Sequence, residues 1–387
     1  MVLAPSVAGL ACGGEGSGSA GAAGAGATAG AGGAAPGSEL VRLPWAPYDD
    51  AFVVDALAGP LQFNIPQGTL PLGPEALEAV RTSGITAVNI TVNGRGEGEM
   101  SAYEATLGRM AAWSREVEGH PDVLSPGRSV ADIAAAKQSG ALALVYGLQD
   151  GVPFEDDLDR LDTLYDEGVR IIQPTYNVQN QLGSGCLAPE DTGLTALGRE
   201  AVTRMEDAGI LVDLSHCGPR TTLDGLETAR GPISITHSGC TAVYDHPRSK
   251  DDRTLRLLAE AGGVVGIYFM PFLNPAGAPT ADDVVRHVEH ALDVCGEDHV
   301  GIGTDQGIVP LDVSGDFQEQ FDMVSARRAA AGIAAPREDT IPYVPQLNHP
   351  RRLEAVAGLM AERGHAPRVI EKVLGANFMR LFSEVWT

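Results

Sequence analysis

The chain is short of positive charge: 27 lysines and arginines stand against 51 aspartates and glutamates, a formal net charge of −24 over 387 residues. Phosphate backbones and anionic bilayers are gripped by clustered basic side chains, so no nucleic-acid partner is expected. Acidity of this size serves solubility first. Cysteine is sparse as well. Cys12, Cys186, Cys217, Cys240 and Cys295 form no CxxC pair, so neither a disulfide framework nor a zinc ribbon is spelled out. Most of them read as small buried hydrophobes. No stretch after the N-terminal segment is long and apolar enough to span a bilayer. A Gly-rich phosphate loop is also missing. After the first expected strand the chain reads Asp55-Ala56-Leu57-Ala58-Gly59-Pro60, which is not a dinucleotide fingerprint.

With 44% hydrophobic and 20% charged residues, the composition is that of a globular chain with room for one large barrel or two medium domains. The first segment departs from it. Residues 13–37 are nearly all Gly, Ala and Ser, which bury too little apolar area to fold, so 1–38 is expected to be a disordered tail and 39–387 the folded domain. Val7-Ala8-Gly9-Leu10-Ala11-Cys12-Gly13 resembles a bacterial lipoprotein cleavage site with Cys12 as the lipidated residue. The basic and long apolar parts of a signal are lacking. Two readings stand: an envelope protein tethered through Cys12 whose start is truncated, or an accidental match in a cytoplasmic protein.

Beyond the tail, short apolar β-rich runs alternate with helical stripes. Strands are expected at 51–55, 85–92, 141–146, 169–174, 210–214, 232–236, 263–269 and 300–304. They are apolar on both faces, as in a buried parallel sheet. Helical stripes run through Leu158, Leu161 and Leu164, through Leu197, Ala201 and Met205, and through Val284, Val288, Ala291 and Cys295. Gly84, Gly168, Gly209 and Gly231 stand where helix C-caps belong. Eight β-then-α units in succession predict an α/β chain folded as a (β/α)8 TIM-type barrel. The long stretch between Asp305 and His349 is expected to be a lid or an edge insertion.

Catalytic groups of such barrels gather at the C-terminal strand ends. The fifth strand ends in Val212-Asp213-Leu214-Ser215-His216, the sixth in Thr236-His237-Ser238 and the eighth in Gly303-Thr304-Asp305. Two imidazoles and a carboxylate on one rim suit zinc or another divalent ion. His246, His287, His290, His299, His349 and His365 have no such placement and read as surface or helix residues.

At these residues the chain resembles the membrane (renal) dipeptidase family of binuclear-zinc hydrolases, from about Phe52 to Phe382. The likeness rests on Leu211 to His216, Thr236-His237-Ser238, Tyr244-Asp245-His246-Pro247-Arg248, Gly262 to Gly266, His299 to Asp305 and Gly375 to Arg380. It implies His216, His237 and Asp305 as metal ligands, Arg248 as the holder of a substrate carboxylate, and Asp305 as the proton acceptor. The chain departs from the family where a His-x-Asp pair would stand, at Leu57 and Gly59. The bridging glutamate corresponds to Gln149, with Asp150 beside it, and a substrate-contacting histidine to Tyr176, followed by Asn177. The resemblance therefore implies a reduced site of one zinc or similar ion on His216, His237, Gln149 and Asp305, with Tyr176 catalytic and Arg248, Tyr176 and Asn177 binding substrate. The function it implies is hydrolysis of a dipeptide or small amide with a free carboxylate. The rival reading is an inactive homologue that serves as a binding or scaffold protein. Whether the chain is a monomer or a homodimer stays open.

Overall fold

The computed structural model describes residues 39–61, 69–96, 98–276, 278–340 and 342–386. The tail and Cys12 lie outside them. All eight expected strands form: β1 (Val54–Asp55), β2 (Ala87–Thr91), β3 (Leu142–Leu148), β4 (Val169–Ile172), β5 (Leu211–Val212), β6 (Ser234–Cys240), β7 (Val264–Ile267) and β8 (Val300–Ile302). They pair in parallel and in sequence order. Val54 meets Ala87, Ala87 meets Ala143, Tyr146 meets Val169 and Ile171 meets Leu211. A single bridge, Asp213 to Ser234, carries β5 to β6, and Ser234 meets Val264 while Val265 meets Val300. The ring closes where Ala56 donates its N–H to the Ile302 carbonyl (2.9 Å) and Gln306 pairs with Ala58. The fold is a (β/α)8 barrel.

Helices α1 (Pro74–Ser83), α2 (Ala102–Gly119), α3 (Val130–Ser139), α4 (Arg160–Asp166), α5 (Ala196–Asp207), α6 (Pro219–Thr228), α7 (Asp252–Glu260), α8 (Ala281–Cys295), α9 (Phe317–Ala330) and α10 (Arg352–Glu362) lie between and after the strands. Their ends follow local chemistry. Ser101 and Glu104 cap α2 reciprocally, as Thr280 and Asp283 cap α8. Gly84 ends α1 in the left-handed region at φ 71°. Gly231 does not cap a helix: α6 stops at Thr228 with extended Ala229 after it.

Two features place the site. The closing helix Asn377–Val385 packs Phe378, Leu381 and Phe382 with Val54, Ala87, Leu211 and Val264, the first residues of their strands. That plugs the N-terminal end and leaves the other rim open. Across that rim lies α9, from the long segment after Asp305, and Phe321 and Arg328 of this helix line cavities over the strand ends. Among the described residues no helix is long and apolar enough to cross a membrane. Cys217, Cys240 and Cys295 are buried free thiols and Cys186 is half-buried.

Candidate active site

Two cavities open at the rim. The outer one, about 460 Å³, is walled by Gln149 and Asp150 after β3, by Arg95 and Arg109 from the β2–α2 region, and by Tyr176, Asp305 and Arg328. The inner one, about 40 Å³, shares those last three and adds His216, Arg248 and Glu338. It reaches His216 of the histidine pair.

His216 follows β5 and His237 sits inside β6, one strand over, so both rings leave the same rim. Their Nε2 atoms are 2.9 Å apart. The other ring nitrogens say which tautomers are present. His216 Nδ1 lies 2.6 Å from Asn177 Oδ1, and the Asn177 amide nitrogen donates to the Ile333 carbonyl (2.8 Å), which fixes Oδ1 as the acceptor. His237 Nδ1 lies 2.8 Å from Thr236 Oγ1, whose own proton goes to Asp213 Oδ2 (2.5 Å). Asp213 also accepts from Ser215 N, Ser215 Oγ and Thr236 N; burial raises its pKa and these four donors, Thr236 Oγ1 included, oppose the rise. Each imidazole thus donates through Nδ1, and two Nε2 lone pairs face one another across 2.9 Å. Such an arrangement calls for a cation, and the Arg248 guanidinium, 3.2 Å from His216 Nε2, stands beside it. Burial first, then the Arg248 guanidinium, holds both imidazoles well below their usual range, so they are neutral at pH 7.

Arg248 is buried and turned inward. Its Nη1 donates to the Ser215 carbonyl (2.5 Å), while Nη2 divides between His216 Nε2 (3.2 Å) and the His237 carbonyl (3.4 Å). Asp305 stands on the wall common to both cavities. Its backbone is left-handed at φ 58°, a conformation uncommon outside glycine. Burial pushes its pKa up to about 7, with Arg248 opposing. Tyr176 stacks on His216 at 4.1 Å between ring centroids, and its hydroxyl accepts from Arg328 Nη2 (3.2 Å).

The expected residues are thus partly assembled. His216 and His237 meet, and Asp305, Tyr176 and Arg248 surround the inner cavity with His216. Gln149 stands apart on the outer wall, its amide nitrogen donating to Thr91 Oγ1 (2.6 Å) and its backbone N–H to Asn93 Oδ1 (2.6 Å). Asp150 is held by Asn93 (3.0 Å) and Val152 N (3.1 Å). Asn177 lines neither cavity. It is buried behind His216 and orients that ring, a role its place beside Tyr176 in sequence does not reveal. Among the described residues, no group of three or more His, Cys, Asp or Glu side chains is set to hold a metal ion. Leu57 and Gly59 offer no side-chain donors, so a second ion has no ligands on the first strand. The imidazole pair supplies two neutral nitrogen donors, and the first strand adds none. Arg328 and Glu338, joined at 2.7 Å, were not expected from sequence, because no periodicity or motif marks them within the long segment. His246, His287 and His349, expected at the surface or on helices, are all buried: His287 is on α8, and His246 and His349 are in loops.

Residues 76–318 match the sequence model described as membrane dipeptidase (peptidase family M19). The chain is 30% identical to an amidohydrolase from Pseudomonas aeruginosa whose solved structure superposes with a TM-score of 0.75, covering 88% of this chain and 98% of that one. It is 28% identical over 270 residues to an uncharacterized protein in the pqqA 5' region of Klebsiella pneumoniae, across 67% of this chain and 88% of that protein. It is also 30% identical over 241 residues to the dipeptidase verJ of Clonostachys rogersoniana, spanning 62% of each.

Proposed function

We propose that this chain, which belongs to the membrane dipeptidase family, hydrolyses a dipeptide or similar small amide with a free carboxylate, using one divalent ion instead of two. The observation that carries this is the pair of facing Nε2 lone pairs, each fixed by a bond at Nδ1. His216 and His237 would hold the ion, with the Asp305 carboxyl on the same cavity wall. Bound there, a zinc-like ion would polarise a carbonyl oxygen and lower the pKa of water.

The other residues supply positioning and proton handling. Asn177 and the Asp213–Thr236 pair hold the imidazole rings in one orientation. Asp305, with its pKa pushed to about 7, can take up and return a proton near neutral pH. The Tyr176 oxygen already accepts from Arg328, which leaves its O–H to donate to an oxygen gaining negative charge. Arg248 is a fixed cation beside His216.

That same guanidinium, 3.2 Å from His216 Nε2, favours a second reading, a binding protein whose barrel has lost the chemistry. Calorimetric zinc titration of EDTA-stripped protein, followed by a dipeptide turnover assay, separates the two. The hydrolase reading expects about one equivalent of zinc bound, abolished in His216→Ala and in His237→Ala, together with zinc-dependent turnover. Absence of zinc binding and of turnover in the unsubstituted protein would sink it.

A further inference from the structure

His216 is 3% exposed, His237 is wholly buried, and Arg248 beside them is buried too. The outer cavity touches Tyr176 and Asp305 but stops short of His216, whose ring is covered by the Tyr176 ring at 4.1 Å. Helix α9 roofs the inner cavity: Phe321, Val324, Ser325 and Arg328 line it together with His216 and Arg248. A substrate reaches the imidazoles only when part of this cover moves.

The cover has two parts that are held unequally. Residues 333–340, which follow α9, are pinned to three strand-end loops. The Asn177 amide nitrogen, after β4, donates to the Ile333 carbonyl (2.8 Å), and His246 Nε2, after β6, donates to the Pro336 carbonyl (2.9 Å). Arg337 Nη1 donates to the Tyr244 hydroxyl (2.9 Å) and, after β7, to the Asn274 carbonyl (2.8 Å). Helix α9 has far less hold. Of its 14 residues only Phe321 is buried, where a surface helix ordinarily buries a whole apolar stripe. A further cavity of about 400 Å³ adjoins Phe321, with Val313, Phe317, Pro342 and Tyr343 on its wall. Among the described residues α9 bonds to a strand-end loop only through Arg328, whose Nη2 donates to the Tyr176 hydroxyl (3.2 Å). The same guanidinium ties the helix to the pinned strap, Nε donating to Glu338 (2.7 Å) and Nη2 to the Ile333 carbonyl (3.5 Å). Gly315 before α9 and Gly332 after it are left-handed, at φ 61° and 68°, and a Cβ on either would meet nothing within 4 Å. Packing fixes neither glycine, so both are free to turn.

We propose that α9 is a flap over the imidazole pair, hinged at Gly315 and Gly332 and latched shut by Arg328 on Glu338 and Tyr176. The strap 333–340 stays on the barrel when the flap lifts, and it carries the catch, Glu338. Lifting the flap also takes Arg328 off the Tyr176 hydroxyl, so the ring covering His216 loses its tie at the same moment. The inference rests on the reading of His216 and His237 as the working groups of the site.

The test combines hydrogen–deuterium exchange with diethyl pyrocarbonate labelling, both read by peptide mass spectrometry on the full chain free of metal and substrate. In the unsubstituted protein the α9 amides exchange about tenfold or more faster than those of α8. If α9 is protected as well as α8, the flap is overturned. Glu338→Gln leaves Arg328 and the cover in place but weakens the latch. It speeds both α9 exchange and carbethoxylation of His216 on the order of tenfold, the worth of a hydrogen bond to a charged group. His287, buried on α8, keeps its former labelling rate, and Arg328→Met speeds α9 and His216 further. Faster α9 exchange with His216 labelling unchanged overturns the proposal, because α9 then does not gate the site. Equal rises at His216 and His287 overturn it as well, since they mark loosening of the whole fold. Zinc-dependent turnover is measured separately, and its absence beside a latch-dependent flap counts against the hydrolase reading alone.

Discussion

Replacing Arg352 with methionine should cost the barrel more stability than any surface change, because this side chain holds the first and last strands together. Asp55, at the end of β1, is wholly buried and Arg352 is 3% exposed. Asp55 accepts from Thr304 N and Thr304 Oγ1 at 2.7 Å each, and Arg352 Nη2 stands 3.4 Å from its Oδ2. The same guanidinium donates to the Gly307 carbonyl at 2.7 Å. Removing one partner of a buried pair leaves a desolvated charge and costs about 3–5 kcal/mol. For so large a barrel that is a fall in Tm of roughly 4–7 °C. Urea unfolding followed by circular dichroism and tryptophan fluorescence would read it. A pH dependence should accompany it. Burial holds the Asp55 pKa above its ordinary value, and Arg352 is the leading influence pulling it down. With Arg352 gone the folded-state pKa rises further. Charged Asp55 then destabilises the fold above that pKa, and the cost fades as acid protonates it. The deficit of Arg352→Met should therefore shrink as pH falls toward 4, and Asp55→Asn added to it should recover part of the loss at pH 7. A loss below about 1 kcal/mol at neutral pH, or a deficit flat with pH, would refute the reasoning.

A second pH effect comes from His287, whose Nδ1 accepts from Cys240 N (2.9 Å) while its Nε2 donates to the Leu273 carbonyl (3.0 Å). Burial lowers its pKa from 6.5 to about 4. The unfolded chain therefore binds the extra proton first, so the stabilisation is complete above about pH 6.5 and is lost as pH falls toward 4, about 3 kcal/mol in all. His287→Gln should be less stable at pH 8 yet show a shallower acid slope in calorimetric scans, and an unchanged slope would remove His287 as the cause. Gly266 on β7 is held by close approach: a Cβ there would stand 2.0 Å from the Thr236 carbonyl oxygen and 3.1 Å from Gly303 N. Gly266→Ala should cost about 2 kcal/mol or more, read as a lowered urea midpoint, and a midpoint equal to that of the parent would contradict the packing. Because Thr236 orients His237, the same change should also weaken zinc binding.

Sequence alone determined the strand order and the candidate rim. Parallel strands buried on both faces show as short apolar runs, and the pairing in chain order from β1 to β8 follows from their alternation with helices. His216, His237 and Asp305 were legible because each directly follows or ends such a run, where a barrel gathers its chemistry. What the sequence could not carry was juxtaposition across long separations. Asp55 meets Arg352 across 297 positions, Asn177 meets His216 across 39, and Arg328 meets Tyr176 across 152. No local pattern encodes these meetings, since each depends on where separate strands and α9 come to rest. Periodicity reports which face of an element is buried, so it could place two histidines on one rim. Only the packed barrel decides which tautomers they hold, which arginine lies behind them, and which one faces the open cavity.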